Sequence, residues 1–204
     1  MKVTTHLDFR ALVFCLLIIF LSGCIPVTLV QPYDADLYSN TEAFYKKASD
    51  LIAKGVSVSP VSNEERDAIT PQEAEHHPGH YKQFKAGYES LLVDANALIL
   101  RALANSGSID SKALEIHIKI ENAITNSIPN GCDDLQNQFS GVSLTVRNYI
   151  DLKCLIGSWE KQHNSKDLTG GKLILKKANW EARSKSLFEG ILAVQKAEAA
   201  KKNK

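Results

Sequence analysis

Residues 80–105 read HYKQFKAGYESLLVDANALILRALAN, and this stretch decides the fold class. Tyr81, Phe84, Tyr88, Leu91, Ala95, Leu98 and Ala102 recur at intervals of 3, 4, 3, 4, 3 and 4. Leu92 and Ile99 widen that stripe, so it reads as the broad apolar face of a bundle helix and not as a narrow coiled-coil seam. Gly87 costs about 1 kcal/mol against alanine in helix propensity, a loss that close approach of a neighbouring helix would explain. Asn105, Ser106 and Gly107 make a stop signal.

Downstream the pattern repeats with one ambiguity. Leu114, Ile116, Ile118 and Ile120 alternate with charged residues and His117 as a strand would, yet Ala113, Ile116, Ile120, Ala123 and Ile124 share a helical face. A lone strand among helices has no ladder partner, which favours the helix over residues 113–121. A turn follows at Ile128-Pro129-Asn130-Gly131. From Asp133 to about His163 a second long face carries Leu135, Phe139, Val142, Val146, Tyr149, Leu152, Ile156 and Trp159. Residues 164–171 are a polar loop. The last helix carries Trp180, Leu187, Ile191 and Val194 and is expected to fray into a solvated basic end that complements the helix dipole.

Upstream, Ser39 and Glu42 have capping-box spacing, and Phe44, Ala48, Leu51 and Ile52 follow at helical positions up to a closing Gly55. Two more capping boxes, Ser62 with Glu65 and Thr70 with Glu73, start short helices that Pro78-Gly79 ends. Four substantial helices and a shorter first one predict an all-α, antiparallel bundle of four to five helices. The chain has 204 residues, a net charge of +1 and 23% charged residues. Those values fit one globular domain and argue against a disordered chain, and the lack of surplus Lys and Arg argues against nucleic-acid binding.

The N-terminus reads as an address. Lys2 and Arg10 precede an uninterrupted apolar run over residues 11–21, long enough for a signal h-region and too short to span about 30 Å of hydrocarbon. Leu21-Ser22-Gly23-Cys24 follows at once and resembles the lipobox of bacterial lipoproteins. The resemblance implies removal of residues 1–23, a diacylglyceryl thioether and palmitate on Cys24, and attachment to the cell envelope. Ile25 after the lipidated cysteine, where an Asp would retain the protein, implies the outer membrane facing the periplasm. Residues 24–39, with two prolines, read as lipidated cysteine and tether, and residues 40–204 as the bundle. The Tyr81-x-x-Phe84, Leu91-Leu92 and Phe188-x-x-Ile191-Leu192 segments look like small helical lipoproteins of unassigned function, which implies no active site.

Candidate chemistry is sparse. Glu73, His76, His77 and His80 form the densest set of possible transition-metal ligands, but Pro78-Gly79 interrupts the helix that would aim them together, and HExxH spacing is absent. A polar hinge is the competing reading. His117 and His163 stand alone; His163, at a helix end, is expected to be partly protonated. There is no Gly-x-Ser-x-Gly elbow, no phosphate-binding glycine loop and no haem-attachment motif, so no catalytic residue and no cofactor beyond the lipid are expected. The expected function is a membrane-anchored structural or protein-interaction module with another envelope protein as partner; the alternative is a metal or small-ligand binder using Glu73 to His80.

Two cysteines remain after processing. In an oxidising compartment Cys132 and Cys154 are expected to form a disulfide. On one unbroken helix they would lie roughly 33 Å apart, against about 7 Å for bridged Cα atoms. A bridge therefore needs a chain break near Ser140-Gly141; one continuous helix with free thiols is the alternative.

Overall fold

The computed structural model describes residues 33–105 and 143–202. Helices α1 (Ala35–Val58), α2 (Asn63–Ala68), α3 (Pro71–His76), α4 (Lys85–Asn105), α5 (Leu144–His163) and α6 (Lys177–Lys202) carry the fold, with a 3-10 turn at Tyr81–Gln83. The architecture is an all-α bundle. Among the described residues the only β pairing is an isolated antiparallel bridge between His80 and Ile174.

Among the described residues the four long helices form a ring: α1 packs on α4 and α6, and α5 on α4 and α6. Side-chain pairs give the direction of each contact. Asp34 at the start of α1 meets Arg101 near the end of α4, and Tyr88 near the start of α4 meets His163 at the end of α5. Thr145 at the start of α5 meets Glu198 near the end of α6, while Gly55 near the end of α1 lies under Trp180 at the start of α6. Each neighbouring pair is therefore antiparallel, which gives up-down-up-down topology. One end of the bundle holds His163, and the other holds Glu198.

The apolar faces are the ones the periodicity implies. Leu91, Leu98, Leu152 and Leu187 are all buried, alongside Phe44, Tyr88, Tyr149, Ile156 and Trp180. Burying a leucine side chain is worth roughly 1.5–3 kcal/mol, so this interior supplies the main drive to fold. Gly87 does allow close approach: a Cβ there would lie 2.5 Å from Leu51 Cδ1.

Helix boundaries differ from expectation in four places. Helix α1 begins at Ala35, inside the segment read as tether, because Asp34 caps it: its Oδ1 accepts from the amides of Asp36 (3.0 Å) and Leu37 (3.1 Å). Gly55 does not end α1, which continues to Val58; Gly55 is helical because a Cβ would lie 2.2 Å from Trp180 Cδ2. Helix α5 starts at Leu144, with Ser143 extended and capping the Val146 amide. No single helix runs through residue 143, so the objection of a 33 Å separation does not apply to Cys154. The end of α6 does not fray into solvent either: Glu198 and Lys201 are buried.

The two capping sites between α1 and α4 hold. Ser62 accepts from the Glu65 amide, and Thr70 and Glu73 exchange both bonds of a capping box. His117, Cys132, Cys24 and residues 113–121 lie outside the described residues. Cys154 is buried and disulfide-bonded, and its partner lies outside the described residues too.

Candidate functional site

Of the residues singled out as metal ligands, Glu73, His77 and His80 are each engaged in separate local hydrogen bonds. Glu73 is exposed, with its carboxylate engaged by the Thr70 amide and hydroxyl at 2.8 Å. His77 Nδ1 accepts from the Gly79 amide (2.9 Å), and His80 Nδ1 accepts from the Lys82 amide (3.1 Å). His80 is buried and His76 exposed. Burial holds the pKa of His77 and of His80 below the ordinary histidine value. Among the described residues no group of three or more His, Cys, Asp or Glu side chains is placed to hold a metal ion. Glu73, His77 and His80 cap short turns here.

The denser cluster lies deeper, where α4, α5 and α6 meet. Tyr88 projects from α4, His163 from the last turn of α5, and Arg183 from α6. His163 is fully buried, and its Nε2 lies 3.1 Å from the Gly79 carbonyl. That carbonyl can only accept, so Nε2 carries the proton and Nδ1 accepts from the Tyr88 hydroxyl at 3.0 Å. Arg183 Nη1 in turn donates to the Tyr88 oxygen (2.6 Å), and Nη2 donates to the Trp159 carbonyl (2.7 Å).

The electrostatics follow from that geometry. Desolvation first, then the Arg183 charge, pushes His163 down to about 3, so the ring is neutral. The expectation of a protonated helix-end histidine is thus overturned: a dipole worth roughly 0.3–1 kcal/mol does not offset removal of the ring from water. Burial also pushes the Tyr88 hydroxyl up to about 12, against a lowering influence from Arg183. Arg183 is 3% exposed and has only neutral hydrogen-bond partners. Its guanidinium carbon lies 4.7 Å from the Trp180 ring centroid and 5.6 Å from that of Trp159, so aromatic faces stand where a carboxylate would. Glu160 accepts from the Tyr81 hydroxyl (2.8 Å), and Tyr81 stacks against Tyr88.

The His163, Tyr88 and Arg183 side chains are withdrawn from solvent. His163 and Tyr88 are both 0% exposed, and each ring nitrogen of His163 is occupied by a structural bond. What the arrangement does is tie elements together: His163 pins the connection before α4 through Gly79, and Tyr81 N donates to the Leu173 carbonyl across the same end. Leu173 sits at φ 52°, an unfavourable left-handed conformation held by those contacts.

The opposite end has its own buried set. Lys201 Nζ donates to Glu198 Oε1 and to Thr145 Oγ1, the latter at 2.7 Å. Across the bundle, Thr41 donates to the Leu37 carbonyl, so its oxygen accepts from the Tyr149 hydroxyl at 2.8 Å.

The missed residues had a signal. Buried positions on α6 fall at 180, 183, 187, 191, 194, 198 and 201, one unbroken 3-4 period in which three members are charged. Reading only apolar letters hides it.

Grooves run along the described surface. One, between α1 and α6, has about 270 Å³ and is lined by Glu42, Tyr45, Lys46, Phe188, Ile191, Leu192 and Gln195; Phe188 is 55% exposed. Another, between α1 and α4, has about 470 Å³ and is lined by Asn40, Ala43, Lys47, Asp94 and Ala97 among others. Comparison with known proteins returned no match: no family model, no curated protein and no solved structure is similar enough to count.

Proposed function

We propose that this chain is a lipid-anchored protein of the bacterial cell envelope whose helical bundle serves as a structural or protein-interaction module. One observation carries the reading: an apolar run of signal length ends in Leu21-Ser22-Gly23-Cys24. Only nine residues separate that cysteine from the Asp34 cap of α1, so lipid and bundle are closely coupled. The interior supports a scaffold, because its polar groups are spent on holding helices to one another. The groove bearing exposed Phe188 supports an interaction with another envelope protein, since a large exposed aromatic beside aliphatic and charged groups is typical of contact surfaces. Ile25 supports the outer membrane, with the bundle in the periplasm.

On this reading Cys15 leaves with the signal and Cys24 carries the lipid. Cys132 is then the partner left for Cys154, in a compartment where a disulfide persists.

Fractionation of a Cys24→Ala variant tests the anchor. The variant is expected to accumulate as the larger precursor with its signal uncleaved. Migration and fractionation identical to the wild type would contradict the reading.

A further inference from the structure

The outward face of α4 differs from those of α1 and α6. Ala86, Ser90, Val93, Ala97, Leu100 and Ala104 recur at intervals of 4, 3, 4, 3 and 4, on the side away from the stripe that faces the core. None is charged. Val93 is 65% exposed and Leu100 48%, and the three alanines are exposed as well. The outward positions of α1 carry Lys46 and Asp50, and those of α6 carry Lys185, Glu189 and Lys196, all exposed. A helix that is apolar on two opposite faces has two surfaces to cover. Beside the stripe runs the groove of about 470 Å³, lined in part by the small side chains of Ala43 and Ala97.

The surroundings point to a second copy of the same chain as the cover. The borders of the stripe carry both signs of charge. On the α1 side Lys47 is bound to Asp94 at 2.7 Å, and on the other side Glu89 lies 3.7 Å from Lys85. A two-fold axis parallel to the helices sets the Lys47 border of each copy against the Glu89 border of the other, at nearly the same level. It also sets each residue of the stripe opposite its own counterpart, with alanine and serine between the larger Val93 and Leu100. The groove beside Ala97 then gives the bulkier side chains of the facing helix a recess to enter. Residues 86–104 span about 27 Å, and with the groove the contact covers roughly 500 Å² per copy. A stable complex in solution buries about 800 Å² per partner, more than this. Anchoring in one leaflet makes up the difference, because it raises the local concentration of copies and holds the same end of each toward the membrane.

We infer that α4 pairs in parallel with α4 of a second copy in the same membrane, through the stripe from Ala86 to Ala104. The inference rests on lipidation of Cys24, which fixes the common orientation.

The test uses the protein expressed from its full-length precursor in a bacterial envelope, as a mixture of tagged and untagged copies. A photo-crosslinking amino acid is placed singly at positions 86, 93 and 100, and for comparison at 46 and 185 on the outward faces of α1 and α6. Adducts are mapped by mass, and the mass of the N-terminal peptide is read in the same sample. Pairing predicts tagged–untagged dimers from all three α4 positions, each joined to α4 of the other copy at its own level, and none from 46 or 185. Ala97→Glu is expected to reduce the adduct at 93 severalfold with an unchanged melting temperature, because that side chain is exposed. Lys47→Glu is expected to reduce it too, and Lys47→Glu with Glu89→Lys to restore it. Adducts only to residues 106–142 of the same chain, to a different protein or to nothing, with lipid present on Cys24, overturn this inference alone. Absence of lipid on Cys24 overturns it together with the anchor reading.

Discussion

At the His163 end of the bundle a buried cation, Arg183, is enclosed by Trp159, Trp180 and Tyr88, and among the described residues its hydrogen-bond partners are neutral. At the Glu198 end a buried cation, Lys201, sits directly on a buried carboxylate, with Thr145 sharing its protons. Both cations occupy core positions of the same helix, α6, and both are almost fully withdrawn from water. The difference shows that burial of charge has two workable forms. A guanidinium is weakly hydrated and planar, so aromatic faces and two neutral acceptors suffice. An ammonium is a compact, strongly hydrated charge and needs its carboxylate.

The largest expected effect breaks the Glu198 end. Lys201→Met leaves the Glu198 carboxylate buried without its cation, and removal of one partner from such a pair costs about 3–5 kcal/mol. Adding Glu198→Leu removes the stranded charge and is expected to recover most of that loss. A thermal melt of the single and double variants checks both statements, and equal destabilisation by the two would show that the pair is solvated.

At the other end the corresponding experiment is steric. Gly55→Ala puts a methyl group into the Trp180 indole and is expected to cost about 1–3 kcal/mol by overpacking, despite the gain in helix propensity. Gly87→Ala meets only the flexible tip of Leu51, so its melting temperature is expected to stay close to the wild type. A reversed order of these two variants would mean that α1 and α6 do not approach as described.

A smaller effect separates the ends by pH. His163 titrates near 6.5 when unfolded and about 3 when folded. Between those values the unfolded chain binds a proton that the folded chain refuses. Stability conferred by the neutral ring is therefore complete above about pH 6.5 and declines as pH falls, by at most about 1.4 kcal/mol per unit. Asp34, held well below the usual carboxylate range first by its Arg101 hydrogen bond, adds a further loss in stronger acid. Denaturant melts across this range are expected to show a shallower slope between pH 6.5 and 4 for His163→Gln. An unchanged slope would place the proton uptake elsewhere.

These variants also show what was legible in the sequence. The apolar stripe of α4 and the inward leucines follow from 3-4 spacing alone, because burial of large aliphatic groups dominates that choice. The start of α1 was misplaced because Ser39 and Glu42 also have capping spacing, whereas Asp34 takes the role through Arg101, 67 residues away. Gly55 reads as a helix end until the indole that lies on it is known. Arg183, Glu198 and Lys201 were hidden for a different reason: a charged residue at a core position looks like surface unless its partners are known. His163 was misjudged for the same reason, since nothing adjacent in sequence announces Tyr88 or Gly79. The lipobox-like run Leu21-Ser22-Gly23-Cys24, by contrast, is a wholly local signal.

The account as a whole depends on Cys24. Trypsin has no site between that residue and Lys46. Mass analysis of the digested membrane fraction is expected to find a peptide that begins at Cys24, ends at Lys46 and carries a diacylglyceryl group. A peptide running unbroken from Ala11 to Lys46, with Cys24 as a free thiol, would contradict the account.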